Sequence, residues 1–366
     1  MKRAVTILLG AILLAGCEKS FELHPEDYSD MIRLECVADA TKDSVFIFPS
    51  ICVPAHTRIK DKVVLDLTGL SIEVNGEERK AVMVDYTEWE TPYPYVDENG
   101  QYIIPDPVPV VKHRFAVPGA VPEGASLRIK ASAKGMKDVY GLATVPVRPK
   151  LDISCTTYDY TDYGWSGSWT DHYLKFKFDI KDKENETGYY AVKILRKSHN
   201  YCEYTEEAKA EGNEDYDYVS IESITPENIS ESSFMEVEEN DGITIGYDGY
   251  RLSSYWSGAM RLYTAEELEN ACLYVRVYPD SENKNNPLII RGGSESMYKA
   301  VIFRVSPEIY RYSKAYTLER NNDLAGMGLA PVNFTYSNII GGSGFFGAMA
   351  CVEGEWMDNP FKQENR

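Results

Sequence analysis

Long apolar runs are what this sequence lacks first. Past residue 17 nothing approaches the roughly 18 apolar residues of a membrane-spanning helix. Basic residues are the second shortage: 38 Lys and Arg stand against 57 Asp and Glu, a net charge of −19. That argues against a nucleic-acid partner, because a phosphate backbone needs clustered cations. Signatures of chemistry are missing as well. There is no C-x-x-C and no H-E-x-x-H, and His24, His56, His113, His172 and His199 share no metal-ligand spacing. A nucleophile elbow is absent: Gly164-Trp-Ser166-Gly-Ser168 and Gly341-Gly-Ser343-Gly-Phe345 both lack its last glycine. Asp280-Ser-Glu282-Asn-Lys-Asn285-Asn286 carries calcium-type oxygen ligands without EF-hand spacing and reads as a hydrated loop. No repeat of roughly 20 to 50 residues and no low-complexity tract occurs. No cofactor or metal is implied.

What is present begins with an address. Lys2 and Arg3 precede the apolar stretch Val5–Leu14, and Leu14-Ala15-Gly16-Cys17 follows with the small residues and cysteine of a bacterial lipobox. Residues 1–16 then form a lipoprotein signal peptide. Cys17 is the lipidation site, where several acyl chains at about 0.8 kcal/mol per buried CH₂ give a stable membrane anchor. Residues 17–30 are polar, without sustained period, and read as a lipidated tether. The remaining cysteines are Cys36, Cys52, Cys155, Cys202, Cys272 and Cys351. An exported protein permits disulfides. Cys36 and Cys52 fall on strands read as consecutive and are the first pair to consider; the alternative is buried free thiols.

The chain of 366 residues is long enough for about two domains, and its 43% apolar and 26% charged content is that of a globular protein. From Met31 onward short apolar runs alternate with turn residues. Ile32–Val37, Ser44–Phe48, Val63–Leu67, Leu70–Val74, Ala81–Val84, Ala125–Ala131 and Val139–Val145 read as strands. Leu127, Ile129 and Ala131 alternate with Arg128 and Lys130, and Asn75-Gly76 is a hairpin turn. Residues 31–149 are therefore expected to form an Ig-like β-sandwich, with the Pro/Tyr-rich insert between Tyr86 and Pro109 as an excursion from its edge. Val145–Pro149 is a linker or a last edge strand. Residues 150–354 form a second, larger β-rich domain with a few short helices: Tyr173–Ile180, Tyr189–Leu195, Leu273–Tyr278 and Tyr298–Val305 are its strands. Ser306-Pro307-Glu308 starts a helix running to about Leu318, and Thr264-Ala-Glu-Glu267 is a capping box. Residues 355–366 form a polar tail. The acidic stretch Tyr201–Glu239 reads as a solvated loop region. The fold class is mainly β.

Tyrosine is the outlier, at 27 against 12 phenylalanines. Three clusters stand among Gly, Ser, Asp and Pro: Tyr86, Trp89, Tyr93, Tyr95 and Tyr102; Tyr158, Tyr160, Tyr163, Trp165, Trp169 and Tyr173; Tyr247, Tyr250, Tyr255 and Trp256. Such rings either bury against loops or present flat faces with polar edges, suited to sugars and protein surfaces alike. Tyr93, Tyr95, Tyr160, Tyr163, Trp165, Trp169, Tyr255 and Trp256 are the recognition candidates.

The C-terminal stretch Pro331-Val-Asn333-Phe-Thr-Tyr336-Ser337-Asn338-Ile339-Ile-Gly341-Gly342-Ser-Gly344-Phe-Phe346-Gly347-Ala348 resembles the ending of the domain-of-unknown-function family 4249, lipoproteins of diderm bacteria. Ser306-Pro-Glu-Ile-Tyr310-Arg-Tyr312 and the early strand block are similar to that family too. The resemblance spans about Cys17 to Gly354, and the Pro/Tyr insert and residues 201–239 depart from it. It implies an outer-membrane lipoprotein, periplasmic or surface-facing, of a kind found alongside TonB-dependent receptors, and it carries no catalytic residue. Gly342-Ser-Gly344-Phe-Phe-Gly347 fits G-x-G-x-x-G, but no βαβ unit surrounds it. Ser337, Asn338, Gly341, Gly342, Gly344, Phe346 and Gly347 read instead as a structural signature, a tightly packed loop. The expected function is non-enzymatic: an accessory of TonB-dependent uptake that binds a ligand or a receptor. The alternatives are a structural or adhesive surface lipoprotein and, third, a glycan-active enzyme with two carboxylates about 5–9.5 Å apart in a cleft.

Overall fold

The computed structural model describes residues 30–52, 65–90, 93, 95–96, 102–103, 105–164, 167–181, 188–210, 219–227, 243–245, 260–282, 288–320 and 336–361. Among them the chain is mainly β with a few short helices. The N-terminal strands are β1 (Met31–Asp39), β2 (Ser44–Cys52), β3 (Leu67–Val74), β4 (Glu77–Lys80), β5 (Val82–Glu90), β6 (Tyr95–Val96), β7 (Tyr102–Ile103), β8 (Val108–Pro118), β9 (Ser126–Ala133) and β10 (Val139–Thr144). Then come β11 (Leu151–Gly164), β12 (Gly167–Ile180), β13 (Tyr189–Tyr204), α1 (Glu206–Ala210), β14 (Val219–Pro226), β15 (Ile243–Ile245), β16 (Met260–Thr264), α2 (Ala265–Asn270), β17 (Leu273–Val277) and β18 (Ser281–Glu282). The last elements are β19 (Ile289–Val305), α3 (Pro307–Arg320), β20 (Ile339–Ile340), β21 (Ser343–Glu353) and β22 (Met357–Asp358).

One twelve-stranded sheet runs β15-β16-β13-β19-β21-β1-β2-β8-β5, with β14 on β13 and β18 and β22 on β19. A five-stranded sheet, β20-β10-β9-β3-β4, packs on its N-terminal part. A three-stranded sheet, β11-β12-β17, packs on its C-terminal part. Strand alternation explains both contacts. Ile32, Leu34, Cys36 and Ala38 of β1 meet Ile72, Leu127, Ile129, Ala131 and Val139 in one core. Tyr190, Val192, Ile194, Tyr298, Ala300 and Ile302 meet Leu174, Phe176, Phe178, Leu273 and Val275 in the other.

β21 joins the two. It pairs parallel with β1 from Ser343 to Met349 and antiparallel with β19 from Met349 to Glu353. Its Phe346 and Ala348 enter the first core and its Val352 reaches the second, so both small sheets lie on the same face of the large one. Phe345 and Met349 point to the opposite face, where Ile309 and Tyr312 of α3 cover them. The Tyr312 and Phe345 rings stack at 4.1 Å. The Gly-rich ending is thus a central strand rather than the expected loop. Two of its glycines are steric necessities. A side chain at Gly344, where φ is +101°, would strike the carbonyl of Leu34, and one at Gly347 would strike Ile309 of α3.

Local signals act as their chemistry dictates. Asn75 and Gly76 take φ of 51° and 88°, a two-residue turn that closes β3 on β4. Thr264 and Glu267 form the reciprocal capping box of α2. α3 starts at Pro307, and the Ser306 Oγ accepts a bond from the Ala348 N–H at 3.2 Å, tying the helix start to β21. Val145–Pro149 carries no strand, so of its two readings the edge strand falls. Three expectations need correction. The acidic stretch Tyr201–Glu239 is not loop throughout, because β13 runs to Tyr204, α1 spans Glu206–Ala210 and β14 spans Val219–Pro226. The Pro/Tyr insert is shorter than its sequence limits, because β5 continues to Glu90 and pairs there with Val108 at the sheet's edge. Cys36 and Cys52 do lie on consecutive strands, but Cys36 faces Ile47 and Cys52 faces Met31. Five ladder positions, roughly 16 Å, separate them, and the cysteines from Cys36 to Cys351 are all free thiols. Burial pushes the Cys36 thiol well above its ordinary pKa.

Candidate functional site

β11 and β12 pair in continuous register from Leu151–Ile180 to Gly164–Gly167. β17 joins them only between His172 and Phe176. One face of this sheet is spent on the second core. By alternation the other face collects Tyr158 and Tyr160 from β11, Trp169, Asp171, Tyr173 and Lys175 from β12, and Tyr274, Arg276 and Tyr278 from or just past β17. They stand in rows: Lys175 beside Tyr274, Tyr158–Tyr173–Arg276, then Tyr160–Asp171 with Tyr278, then Trp169.

The centre of this face is closed and its flanks are open. Tyr173 and Tyr274 are only 4% and 6% exposed although they stand on the outer side of the sheet. Their neighbours bury them. The Tyr158 ring meets Tyr274 edge-on at 5.4 Å and Tyr173 at 6.4 Å. Trp169 and Tyr278 remain 49% and 62% exposed. The charges are held in place. Arg276 donates to Asp171, and its guanidinium lies 5.5 Å from the Tyr278 ring centre. Lys175 Nζ lies 5.5 Å from the Tyr274 ring centre. Its hydrogen bond to Tyr274 holds the ammonium above the ordinary lysine pKa. Burial, followed by the Asp171 carboxylate, raises the Tyr173 phenol above its usual value, so it stays a neutral hydrogen-bonding group.

The registers also place this face along the molecule. Asp39, Met349 and Val305 lie side by side at the far end of β1. From there β19 continues to Ile289, roughly 50 Å further, with β13 alongside. Ile153 sits against Gly354 near Ala300, and the Phe361 ring meets His172 at a tilt, 4.4 Å between centres, so β11 and β12 extend the same way. The segment after β21 fastens this arrangement. Asn359 is buried and its amide donates to the Tyr278 carbonyl at 2.9 Å and to Asp280 at 2.8 Å. The aromatic rows thus lie toward the end opposite the entry of β1 at Met31.

Of the candidates read from sequence, Tyr160 and Trp169 are on this face. Tyr163 lies in β11 opposite Ser168, and Tyr95 lies in β6. Tyr93 is 94% exposed in the insert between β5 and β8, apart from the aromatic face. Trp165, Tyr255, Trp256 and the lipidation residue Cys17 lie outside the described residues. Tyr274, Arg276, Tyr278, Lys175 and Asp171 were not among the candidates. The signal for Tyr274, Arg276 and Tyr278 is alternation within Leu273–Tyr278 and that for Lys175 is alternation within Tyr173–Ile180, while the Asp171–Arg276 pair spans 105 residues of sequence.

The signature residues serve the first core. Asn338 accepts from the Phe346 N–H at 2.8 Å and donates to the Phe346 and Leu142 carbonyls at 2.7 and 3.1 Å, locking β21 to β10. The Ser337 Oγ accepts from the Ile339 N–H at 3.3 Å. Gly341 and Gly342 make the turn into β21. Phe346 is fully buried. Among the described residues no group of three or more His, Cys, Asp or Glu could hold a metal ion, and no helix is long and apolar enough to cross a membrane. His113 pairs with Asp85, His172 with Asp159 and His199 with Ser220, each across neighbouring strands. A depression of about 250 Å³ opens on the outer face of the five-stranded sheet among Ser71, Glu78, Lys80 and Lys130. Within it Ser71 donates to Glu78, and Lys130 is held by Glu73 alongside.

A family model described as Domain of unknown function (DUF4249) matches residues 66–354. That is most of the chain, and the chain belongs to this family. No curated protein matches it. No solved structure matches it.

Proposed function

We propose, from the premise that the chain is a DUF4249 protein, that it is a non-enzymatic lipoprotein of the outer membrane. Its lipid sits on Cys17, and it binds a ligand or a receptor as an accessory of TonB-dependent uptake. The observation that carries this reading is the aromatic face of the three-stranded sheet. Trp169 and Tyr278 stand open over a floor of buried Tyr173 and Tyr274, with Arg276 and Asp171 fixed between them. A sheet-borne surface of this kind is rigid before its partner arrives, so little conformational entropy is lost on binding. Trp, Tyr and Arg are also the residues that concentrate binding energy at recognition surfaces.

The N-terminal lipobox supplies the membrane side of the reading. From Cys17 to Met31 a fully extended tether reaches at most about 50 Å, which keeps the body near the membrane. The aromatic face lies at the other end from Met31, so the entry of the anchor leaves it open to partners. The test is a pull-down from native membranes through a C-terminal tag with the lipid anchor intact. Co-purification of a TonB-dependent receptor supports the uptake role. Recovery with surface-structure components alone moves the structural or adhesive reading ahead of it.

A further inference from the structure

We propose that the aromatic face is a saccharide platform whose ligand is an uncharged glycan chain. The proposal rests on the reading of this face as the recognition surface and names its ligand class. The rows of the face are spaced by two residues, about 7 Å, and neighbouring strands by about 4.8 Å. Rings therefore recur at intervals close to the size of one sugar residue. Sugar rings present C–H faces to aromatic planes and hydroxyls around their rims. Trp169 and Tyr278 offer the open planes, and Tyr158 and Tyr160 flank them half-buried.

Charge decides between ligand classes. The charged groups among the rings are Asp171, Lys175 and Arg276; further along the same outward side stand Lys177 and the Asp152–Lys181–Asp179 cluster, and Asp162 lies opposite Trp169 in register, so positive and negative groups are mixed over the whole face. An anionic ligand would have to compete with Asp171 for the Arg276 guanidinium. A cationic one would meet two cations that are already held over rings. An uncharged ligand avoids both costs. It can still use the ion pair, because a carboxylate accepts several hydrogen bonds and a guanidinium donates five, more than their mutual contact consumes. The neutral Tyr173 phenol lies in the same field. The contrast with the rest of a chain carrying −19 is the point: this surface is selective for shape and hydroxyls, not for charge.

The test uses the full chain on an array of uncharged plant, fungal and host-type oligosaccharides, with heparin and polygalacturonate as charged controls. The native protein and the variants Trp169→Ala, Tyr278→Ala and the double variant are compared. Binding to at least one uncharged glycan, weakened tenfold or more in the double variant while its melting temperature is kept, is the expected result. Preference for the charged controls overturns the proposal, as does glycan binding indifferent to both substitutions. If the native protein binds no glycan but the double variant loses its captured envelope proteins in the pull-down, the face is a protein surface; the saccharide proposal falls and the recognition reading stands. If neither glycan binding nor capture depends on the face, both fall.

Discussion

The two small sheets do the same work on one side and opposite work on the other. Toward the large sheet each presents an alternating apolar face, Leu127, Ile129 and Ala131 in one and Leu174, Phe176 and Phe178 in the other. Toward solvent the five-stranded sheet shows paired charges and hydroxyls, such as Lys130–Glu73 and Ser71–Glu78. The three-stranded sheet shows mostly rings, with the Asp171–Arg276 pair set among them. A strand leaves its outward positions free once its inward positions are filled, so two sheets under the same packing constraint can differ in surface chemistry. Under the proposed function, recognition falls to the outward side of β11, β12 and β17, while stability comes from the inward side of both sheets and from β21.

The largest expected effect comes from breaking what the two halves share. Phe346→Ala empties a fully buried site in β21 and should cost about 3–5 kcal/mol, read as a shift in the denaturant midpoint. Because β21 links the cores, both halves should unfold at the shifted midpoint; two separate transitions would break the picture of a common strand. Asn338→Ala removes the lock between β10 and β21 and leaves the Phe346 N–H without its partner, for about 1–3 kcal/mol in the same measurement. Trp169→Ala and Tyr278→Ala should stay within about 0.5 kcal/mol of the native stability while lowering partner recovery; a large loss of stability would make these rings packing residues instead.

The smallest effect belongs to the charged face. Hydrogen bonding from Lys130 depresses the Glu73 pKa. A depressed acid contributes stability that is present above its unfolded pKa, near 4.3, and is lost as pH falls through the lower folded value. Glu73→Gln should therefore leave the melting temperature at neutral pH nearly unchanged and slightly flatten its fall in acid, an effect that added salt reduces. An acid limb steeper than the native one would reverse the sign assigned here.

Much of this was readable in the residues where local chemistry decides. The Asn75-Gly76 turn, the Thr264–Glu267 capping box, the start of α3 at Pro307 and the alternation in β9 and β12 all depend on neighbours within a few positions. β21 was not readable as a strand, because Gly344 and Gly347 mimic a loop until Leu34 and Ile309 are seen pressing on them. The aromatic face was half readable. Tyr158, Tyr160, Trp169 and Tyr173 cluster along one hairpin. Tyr274, Arg276 and Tyr278 join them only through the pairing of β17 with β12, about a hundred residues away and invisible to local pattern. The cysteines mislead for a related reason: consecutive strands say nothing of register, and five ladder positions keep Cys36 from Cys52.

The most direct measurement sets the two outward faces against each other. Tagged protein with its lipid anchor is recovered from native membranes as the native chain, as Trp169→Ala/Tyr278→Ala, and as Lys80→Ala/Lys130→Ala, with the co-purifying proteins and glycans quantified. The aromatic double variant should lose at least tenfold of what the native chain captures, and the charged-face variant should capture as the native chain does. Equal capture by all three proteins, or a loss confined to the charged-face variant, would contradict the assignment of recognition to the three-stranded sheet.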